Sequence, residues 1–353
     1  MQQRRVSLGD SPFDSLSKGR VLLLHVGAQA PEVGGMEPER EASPPVHVPV
    51  MVEEVLRFLP PRPDATVVDA TVGLGGHSAA LLERWPDGRL IALDCDPDSL
   101  ALAQLRLQPW AARVTFLHAN FQMLATHLAS LGVSRVDGVL LDLGLSSWQL
   151  LQPERGLSFQ LEGPLDMRLD PTRAMPTAAE LLRRLSLAEL TDLFRCHGEE
   201  RYAARIARAI VTTRRQQPLR TTRGLATLVE RAVPRHAQHQ RLHPATRVFQ
   251  ALRIAVNHEV EALERALQLV PQLLAPAGRL VVLSFQSLED RVVKRAMQQW
   301  ARAGLMTLLT PKPLTPSPTE QERNPRARSA KLRACQRLSP PTVVGAQTGR
   351  RHP

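Results

Sequence analysis

Three acids each close an apolar run: Val67-Val68-Asp69, Leu93-Asp94 and Leu140-Leu141-Asp142. Between the first two lies the loop Gly73-Leu74-Gly75-Gly76-His77-Ser78. Glycines in such a place let a backbone approach a ligand closely. An acid at the end of the next strand, 19 residues after Gly75, can accept hydrogen bonds from ribose hydroxyls. The dinucleotide fingerprint asks for Gly or Ala where Ser78 stands, so a nicotinamide site is the weaker reading. Acids also sit badly beside a pyrophosphate, which is held by helix N-termini and cations. They suit a nucleoside that carries an ammonium and a sulfonium, which is S-adenosylmethionine. Taken alone, the loop is equally a tight structural turn, and Asp94 equally a helix N-cap ahead of Pro97.

The third acid opens the stretch Asp142-Leu143-Gly144-Leu145-Ser146-Ser147-Trp148-Gln149. In a methyltransferase layout this strand end faces the methyl group and its acceptor. Methylating an exocyclic amine of a base requires hydrogen-bond acceptors, because they orient the NH2 group and free a lone pair that is otherwise delocalised into the ring. Asp142 and Ser146 are the candidate catalytic groups. No Cys lies near them, which argues against a covalent attack on a pyrimidine ring. Ser caps on an ordinary turn are the competing reading.

These residues need a frame. The runs 66–70, 89–93, 114–117 and 138–142 read as strands, separated by helical stretches at 76–84 and 97–108 and preceded by a short helix at 51–59. Strands alternating with helices imply a parallel α/β sheet. The alternation stops between 150 and 243, where only helices are predicted, near 177–184, 186–196, 199–217 and 221–233. It resumes with one long amphipathic helix over 245–270, a strand over 278–285 and a helix over 287–301. The fold class is therefore α/β, with a mostly parallel sheet over 45–149 and 244–338 and an inserted all-helical domain over 150–243. Residues 1–44 read as a disordered extension, with an internal start at Met36 a further expectation, and 339–353 as a disordered tail.

The net charge is +11, and 41 of the 45 basic residues are Arg. The stretch from Arg195 to Arg247 carries a balance of +9 and the stretch from Glu320 to the end +6, so the remainder is mildly acidic at −4. Guanidinium binds phosphate bidentately, so the insertion and the tail point to a polyanion. Arg201, Arg205 and Arg208 recur at helical spacing, as one phosphate-tracking face or as an ordinary solvated one. Aromatic residues make up only 4%, too few for an extended base-stacking platform, so RNA shape and backbone charge would carry recognition. Cys95, Cys196 and Cys335 have neither zinc spacing nor a disulfide pattern, which fits no metal site and a reducing cytoplasm. No apolar run approaches the ~18 residues of a membrane span.

Taken together, the stretches His47–Val50, Gly73–Ser78, Leu93–Pro97, Leu141–Ser147, Arg155–Phe159, Gly163–Pro171, Gly198–Arg201, His243–Arg247, Phe249–Ile254, Ser284–Arg291 and Asn324–Ser329 resemble the RsmH (MraW) family of bacterial 16S rRNA N4-cytosine methyltransferases. The resemblance runs in order from about 46 to 337, and Asp166-Met167-Arg168 with Asn324–Ser329 are its most specific blocks. It implies a class I S-adenosylmethionine-dependent methyltransferase fold (Rossmann-like), with S-adenosylmethionine as cofactor. The implied substrate is 16S rRNA or the small ribosomal subunit, with no DNA or membrane partner. Carried over by motif, the cofactor residues are Gly75, Gly76, His77, Asp94, Phe121, Asp142 and Gln149. Two positions depart from the family pattern, Trp148 in place of Pro and Gln286 in place of a frequent His. Gln286 cannot titrate near neutral pH, so no step is assigned to a His base there. Two rival functions fit parts of the pattern. An NAD-dependent oxidoreductase is disfavoured by Ser78, and a non-catalytic ribosome-assembly factor by the intact loop and acids.

Overall fold

Short runs rich in Val, Ile and Leu, without polar alternation, are what a strand buried on both faces requires. Such runs, together with a half-exposed edge strand, form the parallel part of one sheet in the computed structural model of the chain: β1 (Thr66–Asp69), β2 (Arg89–Asp94), the edge strand β3 (Val114–His118), β4 (Val136–Asp142) and β5 (Leu274–Ser284). β6 (Met306–Leu308) and β7 (Lys331–Arg337) complete it, giving the order β3-β2-β1-β4-β5-β7-β6 with β7 antiparallel to both neighbours. The structure describes residues 48–339 except 60, 61, 63 and 236–241. The expectations for residues 1–44, for Met36 and for the tail from 340 onward lie outside the described residues.

Alternation along each strand sorts the side chains into two cores. Val67, Leu90, Leu140, Val281 and Leu332 face α1 (Val52–Phe58), α2 (Gly76–Arg84) and α3 (Pro97–Arg106). Val68, Ile91, Val139, Leu141 and Val282 face the opposite layer. Each fully buried Leu, Ile or Val contributes about 1.5–3 kcal/mol, so the two-sided core carries the sheet without covalent staples. The helical elements between the strands continue with α4 (Leu124–Ser130) and the single turn α5 (Ser147–Leu150).

The inserted helices are α6 (Ala178–Arg184), α7 (Leu187–Cys196), α8 (Ala203–Thr213) and α9 (Thr222–Ala232). Capping boxes open α6, where Thr177 pairs with Glu180, and α7, where Ser186 pairs with Glu189. Leu182, Phe194, Ile206, Ile210, Leu225 and Val229 form a third core of their own. The helix expected over 199–217 is shorter, because Glu199 adopts a left-handed conformation at φ 50° and directs the chain into a turn first.

One expectation is corrected. The single helix over 245–270 is two, α10 (Ala245–Asn257) and α11 (Glu259–Leu273), broken at His258, whose φ is 51°. Val248, Phe249 and Leu252 of α10 pack into the inserted core, whereas Leu263, Leu267 and Val270 of α11 pack on the sheet. α10 thus packs with the inserted helices and α11 with the sheet. Asn257 fixes the end of α10: its Nδ2 donates to Met167 O at 2.8 Å and its Oδ1 accepts from Leu169 N at 2.7 Å. The basic stretch after Pro311, which the sequence places in the sheet domain as far as 338, takes regular structure. After α12 (Ser287–Arg302) it supplies β7, inserted between β5 and the edge strand β6, and a short helix α13 (Pro318–Arg323). Arg333 is tolerated inside because its Nε donates to Asp290 Oδ1 at 2.6 Å.

Candidate active site

β1 lies between β2 and β4, so successive connections leave it in opposite directions. That is the switch point at which open α/β sheets place a ligand crevice, at the carboxyl ends of the strands. Asp69, Asp94 and Asp142 end these three strands, and the Gly-rich loop joins them. Thr71 N donates to Asp69 Oδ1 at 3.3 Å, Gly73 N to Asp94 Oδ2 at 2.8 Å, and Asp142 N to Thr71 Oγ1 at 2.6 Å. Gly75, at φ 76°, turns the chain into α2, a conformation that an L side chain resists. Gly76 is needed for a different reason: a Cβ there would stand 3.0 Å from the Pro49 ring.

The sequence-derived residues are brought together with distinct roles. His77 is buried in the first turn of α2, with Nε2 2.8 Å from Val50 O and Nδ1 3.4 Å from Asp142 Oδ2. Phe121 stands just beyond β3, half-buried against the core below. Gln149 does not point freely into the crevice. Its Oε1 accepts from Ser146 N at 2.9 Å and its Nε2 donates to Asp96 Oδ2 at 2.6 Å. The Ser146 hydroxyl accepts from Gln149 N at 3.2 Å, closing a capping box on α5. Trp148 is half-buried on that turn. The alternative reading of Asp94 as N-cap is corrected: the cap of α3 is Asp96, which accepts from Asp98 N, leaving Asp94 to the loop.

Burial dominates the electrostatics. It pushes the Asp69 and Asp94 carboxyls up to about 6 and Asp142 to about 7. The Ser78 hydroxyl, donating to Asp69 Oδ2 at 2.7 Å, partly offsets this for Asp69. Backbone N–H groups of Asp96 and Gly73 do the same for Asp94. Among the described residues, Asp142 Oδ1 is buried and accepts no hydrogen bond. An acidic crevice with one unpaired acceptor and a backbone stripped of side chains at Gly75 and Gly76 fits a cationic nucleoside cofactor.

Sequence reasoning missed the residues beneath the site. Arg155, 6% exposed, donates to Asp96 Oδ2 at 2.8 Å, to Asp98 Oδ2 at 3.0 Å and to Leu169 O at 2.8 Å. The Asp96-Pro97 dipeptide is an N-cap signature that could have flagged Asp96. Nothing local signals Arg155.

Sheet order, switch-point crevice and acid-tipped strands define a class I S-adenosylmethionine-dependent methyltransferase fold. Residues 45–338 match the family model described as the MraW methylase family. The chain is 50% identical over 293 residues to the ribosomal RNA small subunit methyltransferase H of Cyanothece sp., covering 83% of this chain and 95% of that one. It is 48% identical over 309 residues to the protein of that name from Thermomicrobium roseum, covering 83% and 94%. The chain belongs to the MraW methylase family. Among the described residues, no helix is long and apolar enough to cross a membrane.

Proposed function

We propose that the protein transfers a methyl group from S-adenosylmethionine to N4 of a specific cytidine in the decoding region of 16S rRNA, working in the cytoplasm on rRNA or the small subunit. The unpaired acceptor Asp142 Oδ1, buried at the end of β4, carries this reading. An exocyclic amine needs such an acceptor to be oriented, and an amine donor satisfies an oxygen that is otherwise costly to bury. The relatives named as small subunit rRNA methyltransferases support the polymer.

When bound, S-adenosylmethionine supplies a methyl group made electrophilic by its sulfonium. Gly75, Gly76 and His77 would hold its methionine end, Asp94 its ribose and Phe121 its adenine, with Asp142 beside them. Gln149 would act at the edge, through the Asp96 anchor. Asp142 orients the amine, with Ser146 as a second polar group nearby in sequence, and the chain contributes mainly positioning. The inserted helices are the RNA-recognition part in this reading. On α8 the apolar positions Ala203, Ile206, Ala207 and Ile210 are buried, while Arg205 and Arg208, with Arg201 just ahead, are exposed. The target base has to leave its stack to reach the crevice, which is cheapest in irregular or single-stranded RNA.

Mass spectrometry of small-subunit rRNA from cells with and without the gene tests this. N4-methylcytidine is expected to disappear without the gene and to return on incubation of those subunits with the protein and cofactor. Unchanged N4-methylcytidine would refute the assignment.

A further inference from the structure

His77 Nε2 faces a carbonyl oxygen, Val50 O, at 2.8 Å. A carbonyl only accepts, so Nε2 carries a proton. The other ring nitrogen, Nδ1, then faces Asp142 Oδ2 at 3.4 Å. If both groups had lost their protons, a bare lone pair on a ring only 6% exposed would oppose a carboxylate only 21% exposed. The contact is favourable only when one proton lies on one of the two partners.

We infer that His77 and Asp142 share a single proton between Nδ1 and Oδ2, and that His77 is thereby a positioning residue that fixes the Asp142 carboxylate and leaves the buried Oδ1 as its unpaired acceptor. The proton belongs to the pair rather than to either residue. Burial works in the same direction, since it opposes separate charging of both, lowering His77 and raising Asp142. The groups that face the pair are few. Asp69 at the end of β1 and Glu320 on α13 favour a charged His77, and Arg106 on α3 opposes it. Asp69 is also close enough to Asp142 for each carboxylate to resist the other's charge. The Val50 carbonyl is thus the element that selects the tautomer, and the segment ahead of α1 that carries it is tied down by Met51 N donating to Glu320 Oε1 at 2.6 Å.

This gives His77 a duty toward the acceptor side of the reaction as well as the cofactor side, and that consequence rests on the methyltransferase reading; the shared proton does not. The first test therefore needs no cofactor or RNA. In 15N-histidine-labelled protein, the His77 Nδ1 resonance, assigned by its loss in His77→Gln, is followed against pH. Its midpoint is expected at least one pH unit higher in the native protein than in Asp142→Asn, a tenfold change in acid constant, with Nε2 protonated throughout. Coincident midpoints, or a bare Nε2, would overturn the shared proton. The second test is single-turnover methyl transfer at saturating cofactor. His77→Gln is expected to slow it at least tenfold at pH 7.5 and to change the shape of its pH profile, with the melting temperature and circular dichroism establishing that the variant is folded. A folded His77→Gln protein with native rate and profile would overturn the positioning role. Absence of transfer by the native protein would defeat the methyltransferase reading and leave the nuclear magnetic resonance result to decide the pair.

Discussion

Arg155 Nη2 lies 2.8 Å from Asp96 Oδ2, with the two side chains 6% and 0% exposed. The pair ties the start of α3, immediately after Asp94, to the segment leading into the inserted helices. Asp96 is fully used: Oδ1 caps α3, and Oδ2 also accepts from Ser99 Oγ at 3.2 Å and from Gln149 Nε2. Removing one partner of a buried ion pair leaves the other charge stranded, at a cost of about 3–5 kcal/mol. Arg155→Ala is therefore expected to lower the urea midpoint by an amount of that order. A midpoint equivalent to less than about 1 kcal/mol of loss, the range of an exposed pair, would show that water reaches Asp96 in solution.

Gly75→Ala probes the loop itself. The left-handed conformation at φ 76° costs an L residue about 1–2 kcal/mol, and the new Cβ would meet Leu107 Cγ at 3.3 Å. The expected outcome is a stability loss of about that size with cofactor affinity reduced at least tenfold, because the turn relaxes where the ligand approaches. Calorimetric titration with S-adenosylmethionine reads the second part. Native affinity in Gly75→Ala would remove the loop conformation from the binding site.

Much of the site is legible in the amino-acid order itself, for a physical reason. A parallel strand buried on both faces is an uninterrupted apolar run, so the acids that end it stand out, as Asp69, Asp94 and Asp142 do. What was hidden depended on distant partners. The break at His258 leaves the 3.6-residue period intact on both sides, since α10 and α11 each bury one face, only against different cores. β7 reads as a basic tail because the acid that neutralises Arg333 is Asp290, 43 residues away. Asp94 and Asp96 are two residues apart and chemically identical; Pro97 points to Asp96 as the cap, and the hydrogen bonds give the loop to Asp94.

The exposed Arg201, Arg205 and Arg208 give the RNA reading a quantitative form. Removing one Arg–phosphate pairing reduces the slope of log affinity against log salt by about 0.9 on duplex and about 0.7 on single strands. Changing all three to Ala should raise KM for the small subunit at least tenfold and flatten the salt slope by roughly 2. Cofactor affinity should stay unchanged, because the three lie on the far side of the buried α8 face from the inserted core. An unaltered salt slope would identify this face as merely solvated.

The raised carboxyls at the strand ends make cofactor binding a proton-linked event. In the unliganded fold Asp69 and Asp94 titrate at about 6 and Asp142 at about 7, above the ordinary carboxylate range because burial disfavours their charge. The Asp69 and Asp94 carboxyls therefore hold protons that the unfolded chain has lost between about pH 4 and pH 6, and the stability they contribute falls as pH rises through that window, whereas the Asp142–His77 pair, with one proton folded and one unfolded, adds little. A bound cation favours the ionised forms and pulls these values down. Binding near pH 6.5 is then expected to release protons, and affinity to climb from pH 5 to pH 7 before levelling off. Calorimetry at pH 6.5 in two buffers of different ionisation enthalpy measures the release directly, and equal heats in both would contradict it. The same linkage predicts that the melting temperature of the unliganded protein drops between about pH 4 and pH 6, and that saturating cofactor reduces the drop. A cofactor-induced stabilisation independent of pH would mean that the three carboxyls are already ionised before the cation arrives.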